Sequence, residues 1–126
     1  NRDGLDYAHG TGHGVGFFLN VHEGPQSISK YNSVKIKEGM ILSNEPGYYK
    51  KGYYGIRIEN LVYVKRNKKN LQFENLTLAP IETKLINYKL LSKSEKDYLF
   101  KYHLTIYSMY CKFLNMKERK WLASLI

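Results

Sequence analysis

The sequence predicts an α+β fold, in which an antiparallel sheet precedes a C-terminal helix. Two segments, residues 40–45 and 55–64, alternate between apolar and polar positions with the period of two that strands show. Beyond residue 91 the apolar positions recur every three or four residues, which is the spacing of a helix. A chain of 126 residues with 43% hydrophobic residues can bury one modest core, so we expect a single domain or part of one.

The composition limits the classes of partner and compartment. The formal charge of +9 is scattered apart from a run at residues 65–69, which we interpret as a solvated loop without a specific nucleic-acid partner. The single cysteine, Cys111, excludes an internal disulfide and a cysteine-based zinc site, and its helical context predicts packing. No stretch approaches the roughly 18 apolar residues of a membrane span, so a soluble, cytoplasmic protein without a membrane partner is expected. Because the chain begins with Asn1 and not Met, we expect a processed or truncated piece.

Two strands are predicted in the first part of the chain. Residues 1–33 are rich in glycine and polar turn formers around an apolar centre at residues 15–19, which predicts a loop that enters and leaves a strand. The alternation of residues 40–45 places Ser43 and Glu45 on the same side of a second strand. Because a Pro-Gly pair follows directly, Glu45 is predicted to lie at the end of that strand.

A third strand is predicted over residues 55–64, where the alternation puts Arg57 and Glu59 on one face. These two side chains should therefore point in the same direction. The polar residues 65–75 predict a loop or hairpin, and a further strand is predicted around residues 76–81.

The C-terminal part is predicted to be helical. Ser92 and Glu95 have the spacing of a capping box, in which each side chain satisfies a free amide of the first helical turn. One apolar stripe follows and is predicted to face a core: Tyr98, Tyr102, Ile106, Met109 and Phe113. A last short helix is predicted over residues 117–126, with three side chains directed inward: Trp121, Leu122 and Leu125. We therefore treat residues 1–91 as the sheet-bearing part of a domain and residues 92–126 as its helical extension.

Three of the four histidines fall within HGTGHGVGFFLNVHEGP, residues 9–25, and the fourth, His103, is predicted to pack or to face solvent. A phosphate-binding loop is one interpretation, but the alternating glycines match neither GxGxxG nor a GK[ST] ending. A zincin helix is another, since His9 and His13 have the spacing, but the glycines make a helix costly there. What remains is a ligand set of imidazole and carboxylates from separate strands, which suits Mn(II), Co(II) or Zn(II).

Three segments resemble the catalytic domain of aminopeptidase P, a member of the pita-bread metallopeptidases. They are GLDYAHGTGHGVGFFLNVHEGP, then MILSNEPGYYKKGYYGIRIENLVYV, and finally LTLAPIETKLI. Within this superfamily, EPGYY followed by GIRIEN, together with NVHEGP, is specific to aminopeptidase P. The resemblance implies a pita-bread fold with a curved antiparallel sheet, of which this chain is the C-terminal part of the catalytic domain.

The resemblance implies a site for two divalent metal ions, Mn(II) in the first place and Co(II) or Zn(II) as alternatives. In it His13 would ligate one metal, Glu45 would ligate and exchange protons, and Glu59 would bridge both metals. The two remaining ligands are aspartates on a strand that precedes this segment, and Asp3 and Asp6 do not match them. The segment alone is therefore expected to bind metal weakly, to lack activity, and to need its missing upstream half.

The resemblance also assigns roles around the metals. His22 would hydrogen-bond the substrate carbonyl as it becomes tetrahedral, His9 would lie beside the pocket for the substrate's proline, and Arg57 would steady a carboxylate ligand. The implied function is that of a metal-dependent aminopeptidase that releases the residue before a proline from peptides, and a homodimer is compatible with it. Two alternatives stay open, which are a non-catalytic binding module with the pita-bread fold and a relic of a split gene.

Overall fold

The computed structural model describes residues 5–18 and 20–126. Residues 1–77 and 78–126 form two compact units. Asp3, and Leu19 at the end of one predicted strand, lie outside the described residues. The domain boundary drawn at residue 91 follows the start of the helix and stays a prediction about domain organisation.

Short antiparallel strands build the first unit. In chain order they are β1 (Gly12–His13), β2 (Ser27–Ile28), β3 (Ile41–Asn44), β4 (Gly47–Lys50), β5 (Tyr54–Arg57), β6 (Asn60–Asn67) and β7 (Asn70–Asn75). A three-stranded sheet has the order β3–β6–β7, whereas β1 pairs with β2 and β4 pairs with β5. An isolated antiparallel bridge joins Gly14 to Leu42, so the chain after β1 runs along the free side of β3.

The strand predicted over residues 40–45 is confirmed as β3. Ser43 and Glu45 lie on one side as predicted, since the Ser43 hydroxyl donates to Glu45 Oε1 over 2.9 Å. The strand predicted over residues 15–19 is wrong, because pairing occurs earlier, at β1, and the side chain of Phe17 is 99% exposed. The Val15 amide still donates to the Ile41 carbonyl of β3 over 3.2 Å, but the chain then turns away and the described residues of the run after it pair with no strand.

The strand predicted over residues 55–64 is interrupted at residues 58–59, which leaves β5 and β6 in different sheets. Pro46 supplies the physical reason, because proline has no N–H to donate to a ladder. The amide of Ile58 donates to the Pro46 carbonyl over 3.3 Å, so the contact between the two chains is made in one direction only.

Residues 65–75 form the predicted hairpin, although most of them are strand and not loop. β6 and β7 pair up to the turn, where Lys68 has a φ of 55°. The strand predicted over residues 76–81 is wrong, since this segment is irregular. β7 already occupies the place beside β6, and Pro80 cannot donate to a ladder.

The core of the first unit lies on one face of the three-stranded sheet. Leu42, Val62 and Val64 are between 0% and 2% exposed. Leu42 stands directly opposite Val62 in the β3–β6 register, so two adjacent strands bury their side chains in the same layer. Three partly buried side chains complete this layer: Ile28, Ile36 and Met40.

Substitution Leu42→Ala is expected to lower the free energy of unfolding by about 2–5 kcal/mol, because it removes buried methyl groups and leaves a cavity. Leu71→Ala serves as the control, since the Leu71 side chain is 42% exposed. Urea unfolding followed by circular dichroism measures both effects. Equal small losses in the two variants would contradict the assignment of this core.

The second unit is helical, as predicted. It contains a 3-10 turn (Thr83–Leu85), α1 (Lys93–Tyr110), a second 3-10 turn (Cys111–Phe113) and α2 (Met116–Ala123). The capping box at the start of α1 is confirmed, because the Glu95 amide donates to the Ser92 hydroxyl and the Ser92 amide donates to Glu95 Oε2. Within the two described ranges, none of the helices combines the length and apolar character that a bilayer span requires.

The predicted apolar stripe of α1 is only partly buried. Tyr102 and Ile106 are 5% and 1% exposed, but Tyr98, Met109 and Phe113 are more than half exposed. The buried face is shifted toward His103, whose Nε2 accepts a hydrogen bond from the Ile81 amide over 3.1 Å. This contact explains the shift, because a segment preceding α1 covers that face.

Three further predictions in the second unit have mixed outcomes. His103 packs in the interior, with 2% of its surface exposed. On α2, Leu122 is buried and Leu125 packs against the same cluster, as predicted. Trp121 was predicted to point inward and is 59% exposed, so that prediction is wrong. Cys111 follows α1 directly and is partly buried.

Ser92→Ala is expected to cost about 1 kcal/mol in the stability of the second unit, since it leaves the first-turn amide at Glu95 without its cap. Ser108→Ala is the matched control, because the Ser108 hydroxyl only returns a bond to the Leu104 carbonyl inside the helix. Thermal unfolding of the two variants, followed at 222 nm, compares them. A cost no larger at Ser92 than at Ser108 would rule out the cap as a source of stability.

Candidate metal centre

The sequence-predicted residues His13 and Glu45 meet in the first unit. His13 ends β1 and Glu45 follows β3, and their Nε2 and Oε1 atoms lie 3.3 Å apart. Two hydrogen bonds hold these strands together: the Glu45 amide donates to the Thr11 carbonyl over 2.7 Å, and the His13 amide donates to the Ser43 hydroxyl over 2.9 Å. The two candidate ligands are therefore positioned by the backbone and not only by their own rotamers.

Gly12 permits this close approach of β1 to β3. A Cβ atom added at Gly12 would overlap the carbonyl group of Ser43. Any larger residue would push the two strands apart and move His13 away from Glu45. Gly12, one of the glycines for which the sequence predicts a loop, thus allows β1 to pack against β3.

The tautomer of His13 follows from its neighbours. Its Nδ1 lies 2.9 Å from the carbonyl oxygen of Gly14, which can only accept, so Nδ1 carries a proton. The lone pair of the neutral ring is then on Nε2, the atom that faces Glu45. Metal-binding histidines commonly have this arrangement, in which a carbonyl orients one nitrogen and leaves the other free to ligate.

Glu45 is a buried carboxylate with partners on both oxygens. The residue is 8% exposed. Ser43 donates to Oε1, and the guanidinium of Arg57 donates from Nη1 to Oε2 over 3.0 Å. Because an unpaired buried carboxylate is costly, these two partners stabilise the Glu45 side chain in its buried position.

A directional chain of hydrogen bonds connects Arg57 to His9 through Tyr49. Arg57 Nε donates to Tyr49 Oη over 2.8 Å, and Tyr49 Oη lies 2.8 Å from His9 Nε2. His9 Nδ1 lies 2.7 Å from the Gly10 carbonyl and therefore carries the proton, so Tyr49 donates to His9 Nε2. The pKa of Arg57 is raised above its ordinary value, chiefly by its hydrogen bond to Tyr49. The carboxylates of Glu45 and Glu59 raise it further.

Sequence reasoning did not single out Tyr49 or Ser43 as site residues. A signal existed for Ser43, because it lies two residues from Glu45 on the same side of a predicted strand, whereas the spacing along the chain gave none for Tyr49. Tyr49 stands beside the β5 strand that carries Arg57. The contact of Arg57 with a carboxylate, by contrast, is found where it was expected.

His22 lies against His13, with ring centroids 4.1 Å apart and an angle of 37° between the rings. Its side chain is exposed, so it is accessible from solvent on the open side of the pair. The loop that follows β1 brings it there, because the Glu23 amide donates to the Gly14 carbonyl over 2.9 Å.

Glu59 lies in the interruption between β5 and β6 and is exposed. The antiparallel register is the same on both sides of this interruption, with Asn44 opposite Asn60 and Gly47 opposite Arg57. Glu45 and Glu59 therefore occupy facing positions on the two chains, where neighbouring Cβ atoms are typically about 5 Å apart. Asp6 belongs to another region, since its carboxylate pairs with Lys30.

His13 and Glu45 supply donor atoms for part of a metal site. Within residues 5–18 and 20–126, no group of three or more His, Cys, Asp or Glu side chains is placed to hold a metal ion. His13 Nε2 and Glu45 Oε1 nevertheless face one space, where a proton shared between them or a metal cation would join the two atoms. An imidazole nitrogen with a carboxylate oxygen is the donor pair that Mn(II), Co(II) and Zn(II) accept, so the chemistry fits a divalent cation.

Comparison with known proteins shows the family to which the chain belongs. Residues 1–66 match the family model described as metallopeptidase family M24, and residues 69–125 match the C-terminal region of peptidase M24. A probable Xaa-Pro aminopeptidase P of Coprinopsis cinerea is 50% identical and covers 96% of this chain. Xaa-Pro aminopeptidase 1 of Dictyostelium discoideum is 47% identical and covers 98%. The chain spans 22% of the length of each of these relatives.

A solved structure gives the same result. The X-prolyl aminopeptidase of Caenorhabditis elegans, described as a cytosolic enzyme with a di-nuclear active site, aligns with a TM-score of 0.87 and 40% identity. The alignment covers 98% of this chain and 22% of that enzyme. The two units of this chain therefore each have a counterpart in a protein about five times as long.

In the complete protein, Arg57→Lys is expected to weaken binding of Mn(II) about tenfold, because lysine lacks the fork that reaches Glu45 and Tyr49 together. Arg66→Lys is the control, since the Arg66 guanidinium pairs with Glu38 on the surface. Calorimetric titration with Mn(II) measures the affinity of each variant. An unchanged dissociation constant in the Arg57 variant would show that Arg57 does not position a ligand.

Proposed function

Because the chain belongs to metallopeptidase family M24 and has its pita-bread fold, we propose that the complete protein is an Xaa-Pro aminopeptidase. It releases the N-terminal residue of a peptide whose second residue is proline. One observation carries this proposal, namely that His13 Nε2 and Glu45 Oε1 meet at 3.3 Å while Arg57 occupies the other oxygen of Glu45. The names of the relatives support the same activity.

The proposed site holds two divalent ions, Mn(II) in the first place and Co(II) or Zn(II) as alternatives. In this chain His13, Glu45 and Glu59 would hold them, and two aspartates from the upstream part of the protein would complete the set. Such ions, when bound, lower the pKa of a shared water so that hydroxide is available near neutral pH. The facing positions of Glu45 and Glu59 support the assignment of both as ligands.

Each site residue then has a defined role in the proposed mechanism. His13 presents Nε2 because the Gly14 carbonyl retains the proton of Nδ1. Glu45 takes a proton from the attacking water and passes it to the departing proline nitrogen, in the manner of a general base and acid. The hydrogen bond from Arg57 to Oε2 supports this role, because it fixes the orientation of the carboxylate.

His22 and His9 handle the substrate in the proposed mechanism. His22 donates a hydrogen bond to the carbonyl oxygen that precedes proline, and this bond strengthens as the carbon becomes tetrahedral. Its exposure beside His13 supports this role, because a substrate can reach it from solvent. His9 lies beside the pocket for the proline ring, and its bond to Tyr49 fixes the plane of the imidazole.

The activity belongs to the complete protein and not to this segment. The chain spans about a fifth of its relatives, and the segment alone supplies too few anionic ligands for two divalent ions. We therefore propose that the segment alone is inactive and that the upstream half of the catalytic domain is its first partner. A cytoplasmic location is part of the proposal, since the C. elegans enzyme is described as cytosolic. A homodimer of the complete protein is compatible with it.

Hydrolysis of Arg-Pro-Pro by the complete protein loaded with Mn(II) tests this function. Glu45→Gln and His13→Ala are each expected to lower kcat/KM by at least about 100-fold, through loss of proton transfer and of a ligand. Glu74→Gln is the control, because this carboxylate lies on β7 and pairs with Lys65. A folded, metal-loaded protein that leaves Arg-Pro-Pro intact would refute the proposal, and so would full activity in the Glu45 variant.

A further inference from the structure

A cavity of about 480 Å³ lies next to the candidate metal centre. We call it the His9 pocket, and its two walls are residues 6–11 and residues 29–31. Its volume falls in the range of roughly 300–1,000 Å³ that small-molecule sites in proteins have. A ligand the size of a short peptide fragment could therefore occupy it.

The strand pairing explains where this pocket comes from. β1 and β2 pair over two positions only, Gly12 opposite Ile28 and His13 opposite Ser27. Because the strands are antiparallel, the chain before β1 and the chain after β2 leave the ladder at the same end. They diverge there, and the pocket is the space between them.

One wall of the pocket is connected to the metal centre by direct hydrogen bonds. The carbonyl of Thr11, in that wall, accepts from the amide of Glu45 over 2.7 Å. His9, in the same wall, reaches Arg57 through Tyr49. The pocket and the candidate ligand Glu45 therefore share the backbone segment around Thr11.

The first wall offers ring faces and the opposite wall offers a positive charge. Tyr7 and His9 have ring centroids 4.7 Å apart, and the Tyr7 hydroxyl is fixed by Thr11 over 2.7 Å. Lys30, on the other wall, pairs with Asp6 over 3.0 Å. The hydrogen bond between them lowers the pKa of Asp6 and raises the pKa of Lys30, so both are charged at neutral pH. The pocket therefore combines surfaces for a small apolar ring with a cation near its edge.

The ion pair between Lys30 and Asp6 can give way to an ion pair between Lys30 and another carboxylate. Their side chains are 78% and 62% exposed, and exposed pairs of this kind contribute little to stability. An incoming carboxylate can replace Asp6 at the ammonium group at low cost. The ammonium group of Lys30 does not distinguish one ring from another. It does distinguish a free carboxylate, with which it can form an ion pair, from an uncharged amide.

We propose that Lys30, on the wall of the His9 pocket opposite His9, selects substrates that end in a free carboxylate soon after the scissile bond. This inference rests on the proposed function and adds a specificity-determining residue to it. It favours short peptides, in which one residue or a few follow the proline, over long chains and C-terminal amides.

The test compares free acids with amides in the complete protein. Binding of Pro-Pro and of Pro-Pro amide is measured by calorimetry, and kcat/KM is measured for Arg-Pro-Pro and Arg-Pro-Pro amide. The wild type is expected to prefer the free acids by about fivefold, which is the upper range for an exposed charge pair. Lys30→Met should reduce this ratio to about one. Asp6→Asn should increase it, because it removes the competing carboxylate.

A purely structural ion pair would behave differently, since Lys30→Met and Asp6→Asn would then lower affinity together. That outcome would overturn the inference, and so would a ratio near one in the wild type. Lys65→Met is the matched control, because Lys65 pairs with Glu74 on a strand outside both walls of the pocket. If the wild type hydrolyses neither tripeptide, the proposed function fails, while the dipeptide binding ratio still decides the role of Lys30.

Discussion

The buried carboxylate of Glu45 constrains the first unit more than any other group. A charge with 8% exposure must be compensated locally, and two hydrogen-bond donors do so. Ser43 donates to Oε1 from β3 itself, and Arg57 donates to Oε2 from β5. β1 adds His13, whose Nε2 lies 3.3 Å from Oε1. The surroundings of Glu45 therefore depend on two other backbone segments, β1 and β5, that lie close to the end of β3.

The interruption of the sheet by Pro46 gives this site its geometry. If residue 46 carried a backbone N–H, β3 and β4 could form one continuous strand against β5 and β6. Both carboxylates would then be ordinary members of a ladder. Instead Glu45 and Glu59 face each other where the ladder stops, while the register on either side is preserved. The proposal that Glu45 and Glu59 share a cation rests on these facing positions.

The second unit shows how far a helical pattern can be trusted. Its start was predictable because a capping box is a local interaction between residues three apart, Ser92 and Glu95. Its buried face was not predictable. The apolar stripe through Tyr98, Met109 and Phe113 shows which side chains could be buried, but not which segment of the chain covers the helix. His103 is buried instead because the amide of Ile81 needs an acceptor there. Trp121 was misjudged for the same reason, as apolar character does not identify the neighbour.

The sequence by itself determined the class of the protein, the approximate strands and the identity of the candidate ligands. These properties depend on residue types and short spacings, such as EPGYY, GIRIEN and the histidines of residues 9–25. Only the tertiary structure decided that Gly12 seats β1 against β3, that Tyr49 links His9 to Arg57, and that the strand over residues 55–64 is divided at Glu59. Those features depend on which backbone segments become neighbours. Hydrogen-bond pairing and burial across the whole unit determine which segments become neighbours, and no short stretch of the sequence carries that information.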